Sequence, residues 1–277
     1  MSQPQQYPAL PREGTLAELP AEYPTDMQDQ ISQILKSSST NRLVVLDDDP
    51  TGTQTCHDIS VLTVWDIPTL TTEFQTTSPG FFILTNSRAL PPKEAEQLIR
   101  TICENVSEAA RRTGNKVDVV LRGDSTLRGH FPLEPDVAQS VFGAADALVL
   151  APFFFQGGRF TINDVHYVAE GDKLVPAGAT QFAQDATFGY KSSNLRDYVL
   201  EKAPGRFSAD QLHSVTIHEI RQGGPQAVCE KLLASPAGGV VIVNAAAESD
   251  MHVFVAGLLL GMSFPFSSLT PSTEACT

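Results

Sequence analysis

The sequence predicts an α/β domain of three layers built on a mostly parallel sheet. Two observations carry this. Short apolar runs of strand length alternate with helical segments of about ten residues or more, and four of the apolar runs end in polar loops of unusual chemistry. In open parallel sheets ligands bind beyond the carboxyl ends of the strands, where such loops converge. A chain of 277 residues with 42% apolar and 18% charged side chains can bury the core of one large domain or two small ones.

Residues 1–24 are polar and proline-rich and read as a flexible arm. The arm has neither a basic stretch leading into an apolar one nor an Arg-rich amphipathic pattern, so it is not read as a signal or transit peptide. The segment TDMQDQISQILKSS predicts a helix capped by Thr25 or Asp26, with Met27, Ile31 and Ile34 or Leu35 on one face. RLVVLDDD is a strand, DISVLTVW a second, and GFFILTNSRAL a third that breaks into polar residues. PPKEAEQLIRTICENVSEAARRTG follows as a long amphipathic helix, with prolines at its start and a glycine at its stop. KVDVVLRGDSTLRGH gives a strand and polar loop, PLEPDVAQSVFGAA a helix, and DALVLAPFFF a strand running into QGGRFT. VHYV with KLVPA suggests a hairpin, SNLRDYVLEKA and GPQAVCEKLLAS helices, and SVTIHEI and GVVIVNAAA strands. The domain is expected to span residues 25–260, followed by a Ser/Thr/Pro-rich tail, 261–277, without strand or helix pattern.

Nineteen basic against 32 acidic residues leave a net charge of −13, the opposite of a nucleic-acid-binding footprint. Cys56, Cys103, Cys229 and Cys276 are scattered without C-x-x-C spacing, which argues against a zinc site or a disulfide scaffold and for reduced thiols in the cytoplasm. The longest apolar stretches fall short of the roughly 20 residues of a membrane span. No metal ligand set, nucleic acid or membrane is expected.

The four loops DDDPTGT, TNSR, RGDSTLRGH and QGGRFT propose a single site. Asp47, Asp48 and Asp49 cannot all be buried and ionised together, because like charges a few ångströms apart raise one another's pKa. A role for at least one as general base, metal ligand or acceptor for substrate hydroxyls follows from the trio, although Asp before Pro-Thr-Gly is also ordinary turn chemistry. The third loop places Arg122, Asp124, Ser125, Thr126, Arg128 and His130 within nine residues. Arginine forks bind carboxylates, and hydroxyls bind sugars or phosphates, with an Asp124 cap and an internal Arg–Asp pair as the plainer alternative. Gly158 and Arg159 make the fourth loop anion-friendly. No P-loop, G-x-G-x-x-G or G-x-S-x-G sequence is present. Asp47, Asp49 and Thr51, with the later strand ending in LTNS, also resemble the first motifs of Mg²⁺-dependent haloacid-dehalogenase-type phosphatases. In that reading only Glu248 and Asp250 could serve as the late acidic pair, and no lysine is well placed.

The runs LDDDPTGTQTCHDISVLT, FILTNSRAL, RGDSTLRGHFPLE, GGRFTINDVHYV and FGYKSSNLRDYV, in this order, resemble the N-terminal domain of the four-carbon acid sugar kinase family over about residues 40–258. That resemblance implies an ATP-dependent kinase for tetronate-type sugar acids, whose N-terminal domain holds the sugar and whose C-terminal domain brings ATP and Mg²⁺. It places Asp48 and Asp49 against the sugar hydroxyls, one as candidate base. Arg128, helped by Arg159, would pair with the substrate carboxylate or the transferring phosphate. Asn86, Ser125 and Thr126 would fix hydroxyls, and Thr51, Gly52, Arg88, Arg122, Asp124 and Gly158 complete the expected binding set. A chain lacking the ATP-binding domain is expected to be the sugar-acid-binding half of such an enzyme, incomplete as a catalyst, working with a separate ATP-binding chain or as a non-catalytic binding module.

Overall fold

The computed structural model describes residues 5–37, 41–51 and 57–262. The chain opens with β1 (Leu10–Pro11), α1 (Arg12–Ala17), α2 (Gln28–Ser37), β2 (Arg42–Asp47) and β3 (Ser60–Leu62). It continues through α3 (Ile67–Phe74), β4 (Gly80–Leu84), α4 (Pro92–Thr113), β5 (Val117–Arg122), α5 (Leu133–Phe142) and β6 (Ala147–Leu150). Then come β7 (Arg159–Ile162), β8 (Val165–Glu170), β9 (Lys173–Pro176), α6 (Leu195–Lys202), β10 (Leu212–Val215), α7 (Gly224–Leu233), β11 (Gly239–Val243) and α8 (Glu248–Met262).

The α/β class is the one the sequence predicts, but the parallel strands form two sheets rather than one. The first has the order β3-β4-β2-β5 and the second β10-β11-β6, so β5 and β6 are both edge strands. Val44 and Leu46 of β2, with Phe81 and Ile83 of β4, pack against the apolar stripe of α4 formed by Ile99, Ile102, Cys103 and Val106. That stripe recurs every three or four residues and makes α4 a helix with one buried face. Gly114, at φ 71°, ends it in the left-handed conformation that glycine accepts most readily.

A third, antiparallel sheet has the order β1-β9-β8-β7. Its β7–β8 turn puts Asn163 (φ 51°) and Asp164 (φ 64°) in the left-handed region, as tight hairpins require. The turn is fastened to β10 and to the residue after β11: Asn244 Nδ2 donates to Asp164 Oδ1 at 2.8 Å, Asp164 N–H to Asn244 Oδ1 at 2.7 Å, and Ser214 Oγ to Asp164 Oδ2 at 2.7 Å. The loop expected at GGRFT is therefore half strand, with Arg159 opening β7.

The N-terminal segment, expected as a flexible arm, is docked along its described part. Leu10 pairs with Leu174, Pro20 O accepts from Arg221 Nη1 at 2.8 Å, and Tyr7, Leu10, Leu16 and Leu19 pack on the core around Phe160. A proline-rich polar composition hid four apolar side chains spaced to cover one surface. Helix α8 shows no amphipathic period because it is apolar nearly all round and buried against α7 and β11. Glu219 and Ile220, expected as the end of a strand, instead begin a π-helical turn over Glu219–Gly223. Gly261 and Met262 complete α8, and the rest of the expected tail lies outside the described residues.

Candidate functional site

The carboxyl ends of β4, β2 and β5 are adjacent, and their loops meet around Asp48. Its N–H donates to Arg122 O at 3.1 Å, its carbonyl accepts from Arg88 N–H at 3.4 Å, and Thr85 N–H donates to Asp47 O at 2.8 Å. These bonds extend the ladder one residue past β2 and fix Asp48 between the other two loops. Three ion pairs then interlock them: Arg88 with Asp49, Arg88 with Asp124 at 3.9 Å, and Arg122 with Asp47 at 3.2 Å, while Arg128 and Asp124, 2.6 Å apart, pair within the loop after β5.

Asp47 Oδ2 and Asp48 Oδ1 are both buried without a hydrogen-bond partner among the described residues, but of the trio only Asp48 has no ion pair among them. Asp47 is fully buried and tied to Arg122, and burial raises its pKa while that guanidinium pulls it back. Asp49 accepts from Thr51 and Arg88, and these contacts outweigh its partial burial and lower its pKa. Asp48 is 3% exposed, and its Oδ1 is buried without a hydrogen-bond partner among the described residues. Burial pushes its carboxyl to about 7, with Glu134 and Asp47 adding to the shift and Arg88 and Arg122 opposing it. A Cβ at Gly123 or at Gly129 would stand 3.6 Å from Asp48 Oδ2, so a side chain at either position would lie over that oxygen.

The loop after β5 is held from behind. His166 Nε2 donates to Ser125 O at 2.7 Å, Tyr190 Oη to Thr126 O at 2.8 Å, and Tyr198 Oη to Leu127 O at 3.1 Å. His166 is fully buried, which depresses its pKa to about 4, so the ring is neutral, with Nδ1 accepting from Thr161 Oγ1. Burial raises both tyrosines, keeping them as donors. Three consecutive carbonyls are thus pinned, and Leu127 sits buried at φ 64°, a costly conformation for leucine. On the front of the loop, burial and the bonds from Thr126 and Arg128 compete at Asp124, and the bonds win, lowering its pKa.

Several expected ligand contacts are occupied within the protein. The hydroxyls of Thr51 and Thr126 donate to Asp49 and Asp124, so both serve the loops themselves. Gly158, at φ 72°, is required by the chain: a Cβ there would lie 2.9 Å from Ala169 Cβ. Gly52 lies outside the described residues. Asn86 is exposed at φ 53°, Ser125 is half-buried, and neither side chain has a partner among the described residues. Arg159 reaches the same region through Phe182, whose ring lies 5.6 Å from its guanidinium carbon and 5.1 Å from that of Arg128.

Sequence reasoning passed over Glu134. It opens α5, accepts from Ser87 Oγ at 2.6 Å, and is raised by burial. His130, read as structural, donates to the carbonyl of Ser87 or Leu90, each at 3.1 Å. The phosphatase arrangement does not form, since its nucleophile position, Asp47, is inaccessible. Its late acid, Asp250, is spent on Arg221 and two backbone N–H groups.

A family model for a sugar-binding N-terminal domain matches residues 43–272. The chain belongs to this family. Its fold is similar to that of a Haemophilus influenzae DUF1537 protein (16% identity, TM-score 0.53), covering 79% of this chain and 56% of that one. A Salmonella typhimurium LT2 protein matches at 15% identity and TM-score 0.56, over 81% and 55% of the two chains. A Bordetella bronchiseptica DUF1537 protein, solved with bound citrate as a domain-swapped dimer, matches at 21% identity and TM-score 0.55, over 81% and 56%. The chain therefore spans little more than half the length of these solved proteins, and no curated protein matches it.

Proposed function

We propose that this sugar-binding domain holds a tetronate-type sugar acid and is the substrate half of an ATP-dependent acid sugar kinase, with Asp48 taking the proton from the hydroxyl that is phosphorylated. The observation that carries the reading is Asp48 itself: a buried carboxyl at a strand end, one oxygen unpartnered, poised near 7. A base with that pKa is half ionised at neutral pH and matched to proton transfer. Ser125 and Asn86 supply free hydrogen-bonding groups for further hydroxyls, and Arg88 and Arg128 supply positive charge for the carboxylate. The Bordetella relative's citrate, a hydroxy acid, is in keeping with a ligand of this chemistry.

Among the described residues no group of three His, Cys, Asp or Glu side chains is arranged for a metal ion, and the chain carries no P-loop sequence. These residues fit an acid sugar rather than ATP or Mg²⁺, so the chemistry assigned to this chain stops at holding the sugar and accepting its proton. Phosphoryl transfer would draw ATP and Mg²⁺ from an ATP-binding domain acting with it. Titration calorimetry with a panel of tetronates tests the reading. Wild type is expected to bind at least one, and Asp48→Asn to weaken it by about tenfold or more. No binding to any sugar acid would overturn it.

A further inference from the structure

The arginines of the site divide by whether their charge is already met. Arg88, Arg122 and Arg128 each face an aspartate, whereas Arg159 forms no ion pair among the described residues. Its Nη1 donates to Gly157 O and its Nε is buried without a partner. Arg159 also stands on the wall of an open cavity of about 560 Å³, with Thr180, Gln181 and Phe182 on the same lining. Glu170 lies at the cavity too, exposed, directly across the hairpin from Lys173. Thr180 Oγ1 donates to Ala177 O and can still accept, and the exposed Gln181 amide has no partner among the described residues. A space of that size lies in the range that drug-sized ligands fill, larger than a four-carbon acid needs.

We infer that Arg159 is a second anion anchor, receiving the far carboxylate of a polyhydroxylated diacid longer than four carbons while its near end lies at Asp48 and Arg128. The inference rests on the sugar-acid reading above and extends it from monoacids to aldarates. The geometry supports a linear ligand: the guanidinium carbons of Arg128 and Arg159 lie 5.1 and 5.6 Å from the centre of one ring, Phe182, so both cations are within reach of a single extended diacid. Arg128 has its charge balanced by Asp124, so the two guanidinium groups are not equivalent. An uncompensated fork takes a carboxylate bidentately without displacing an internal partner.

Gluconate and glucarate, which match in length and configuration and differ in the second carboxylate, make the test. In wild type, calorimetry is expected to give glucarate about tenfold tighter binding than gluconate, the effect of one charge-assisted contact. Arg159→Gln should remove that difference, weakening the diacid about tenfold more than it weakens gluconate or threonate. Arg159→Lys, which keeps the charge and loses the fork, should retain part of it and serves if the glutamine variant does not fold. Equal binding of the two six-carbon acids by wild type, or an equal loss of all three ligands in Arg159→Gln, would overturn the inference and leave the sugar-acid reading standing. Succinate binding that depends on Arg159, with no sugar acid bound, would keep the anchor and remove that reading. No binding of any acid would remove both.

Discussion

Two buried aspartates close to the ends of parallel strands meet opposite fates. Asp250, in the first turn of α8 after β11, is 1% exposed and saturated: Arg221 Nε and Nη2 donate to its two oxygens at 2.8 and 2.9 Å, and Ala246 and Ala247 N–H add two more bonds to Oδ2. Asp48, just past β2, is nearly as buried, yet its Oδ1 has no partner among the described residues and its carboxyl is raised to about 7. Burial alone therefore does not distinguish an architectural acid from a reactive one. The distinguishing quantity is the hydrogen-bonding capacity the fold leaves unspent, and a site is where the fold tolerates that cost.

Breaking the saturated side should produce the largest effect. Arg221→Ala leaves a buried carboxylate without its cation and frees Pro20 O, and is expected to cost about 3–5 kcal/mol, read as a lower urea midpoint at an unchanged slope. Asp48→Asn should act in the opposite direction. The raised carboxyl favours the fold while protonated, so its contribution is present below its unfolded value near 4 and is lost as pH rises through about 7. The substitution should thus stabilise the domain by roughly 2–4 kcal/mol at pH 8 and by nothing measurable at pH 3.5, while weakening ligand binding. Equal stability at both pH values would erase the contrast with Asp250.

Arg122→Met tests the intermediate case, Asp47, which is fully buried but has a single ion pair. A loss of about 1–3 kcal/mol is expected at neutral pH. The loss should shrink as pH falls and Asp47 protonates, because removing Arg122 raises its pKa further. The smallest effect belongs to the loop support. Tyr190→Phe keeps the ring and leaves Thr126 O unsatisfied, for about 1 kcal/mol in thermal unfolding, with faster amide exchange confined to residues 124–129.

Much of this site was legible in the sequence because parallel strands deliver their carboxyl ends to one edge. Asp48, Asp49, Arg88, Arg122, Asp124 and Arg128 could be grouped from the order of apolar runs and polar loops alone, and the structure brings them together. Which of three adjacent aspartates is left without an ion pair could not be read, since that depends on partners 39 and 75 residues away. Glu134, His166, Tyr190 and Tyr198 lie within the runs that carry the resemblance and Phe182 outside them, but what each does is set by what it touches and could not be read from residue type. The division of the parallel strands into two sheets also escaped sequence reasoning, because periodicity states that a strand exists and not which edge it pairs.

The docked N-terminal segment sets a timetable for synthesis. Leu10 pairs with Leu174, Pro20 with Arg221, and Glu22 with Ser249, so these residues are made long before the partners that place them. At translation rates of about 5–20 residues per second, Leu16 and Leu19 wait on the order of ten seconds or more for the hairpin and core that cover them. During that interval the nascent chain exposes an apolar strip that the folded protein never shows. Demand for chaperones should accordingly fall early in synthesis for a chain whose opening segment is removed, even though the finished domain would be less stable.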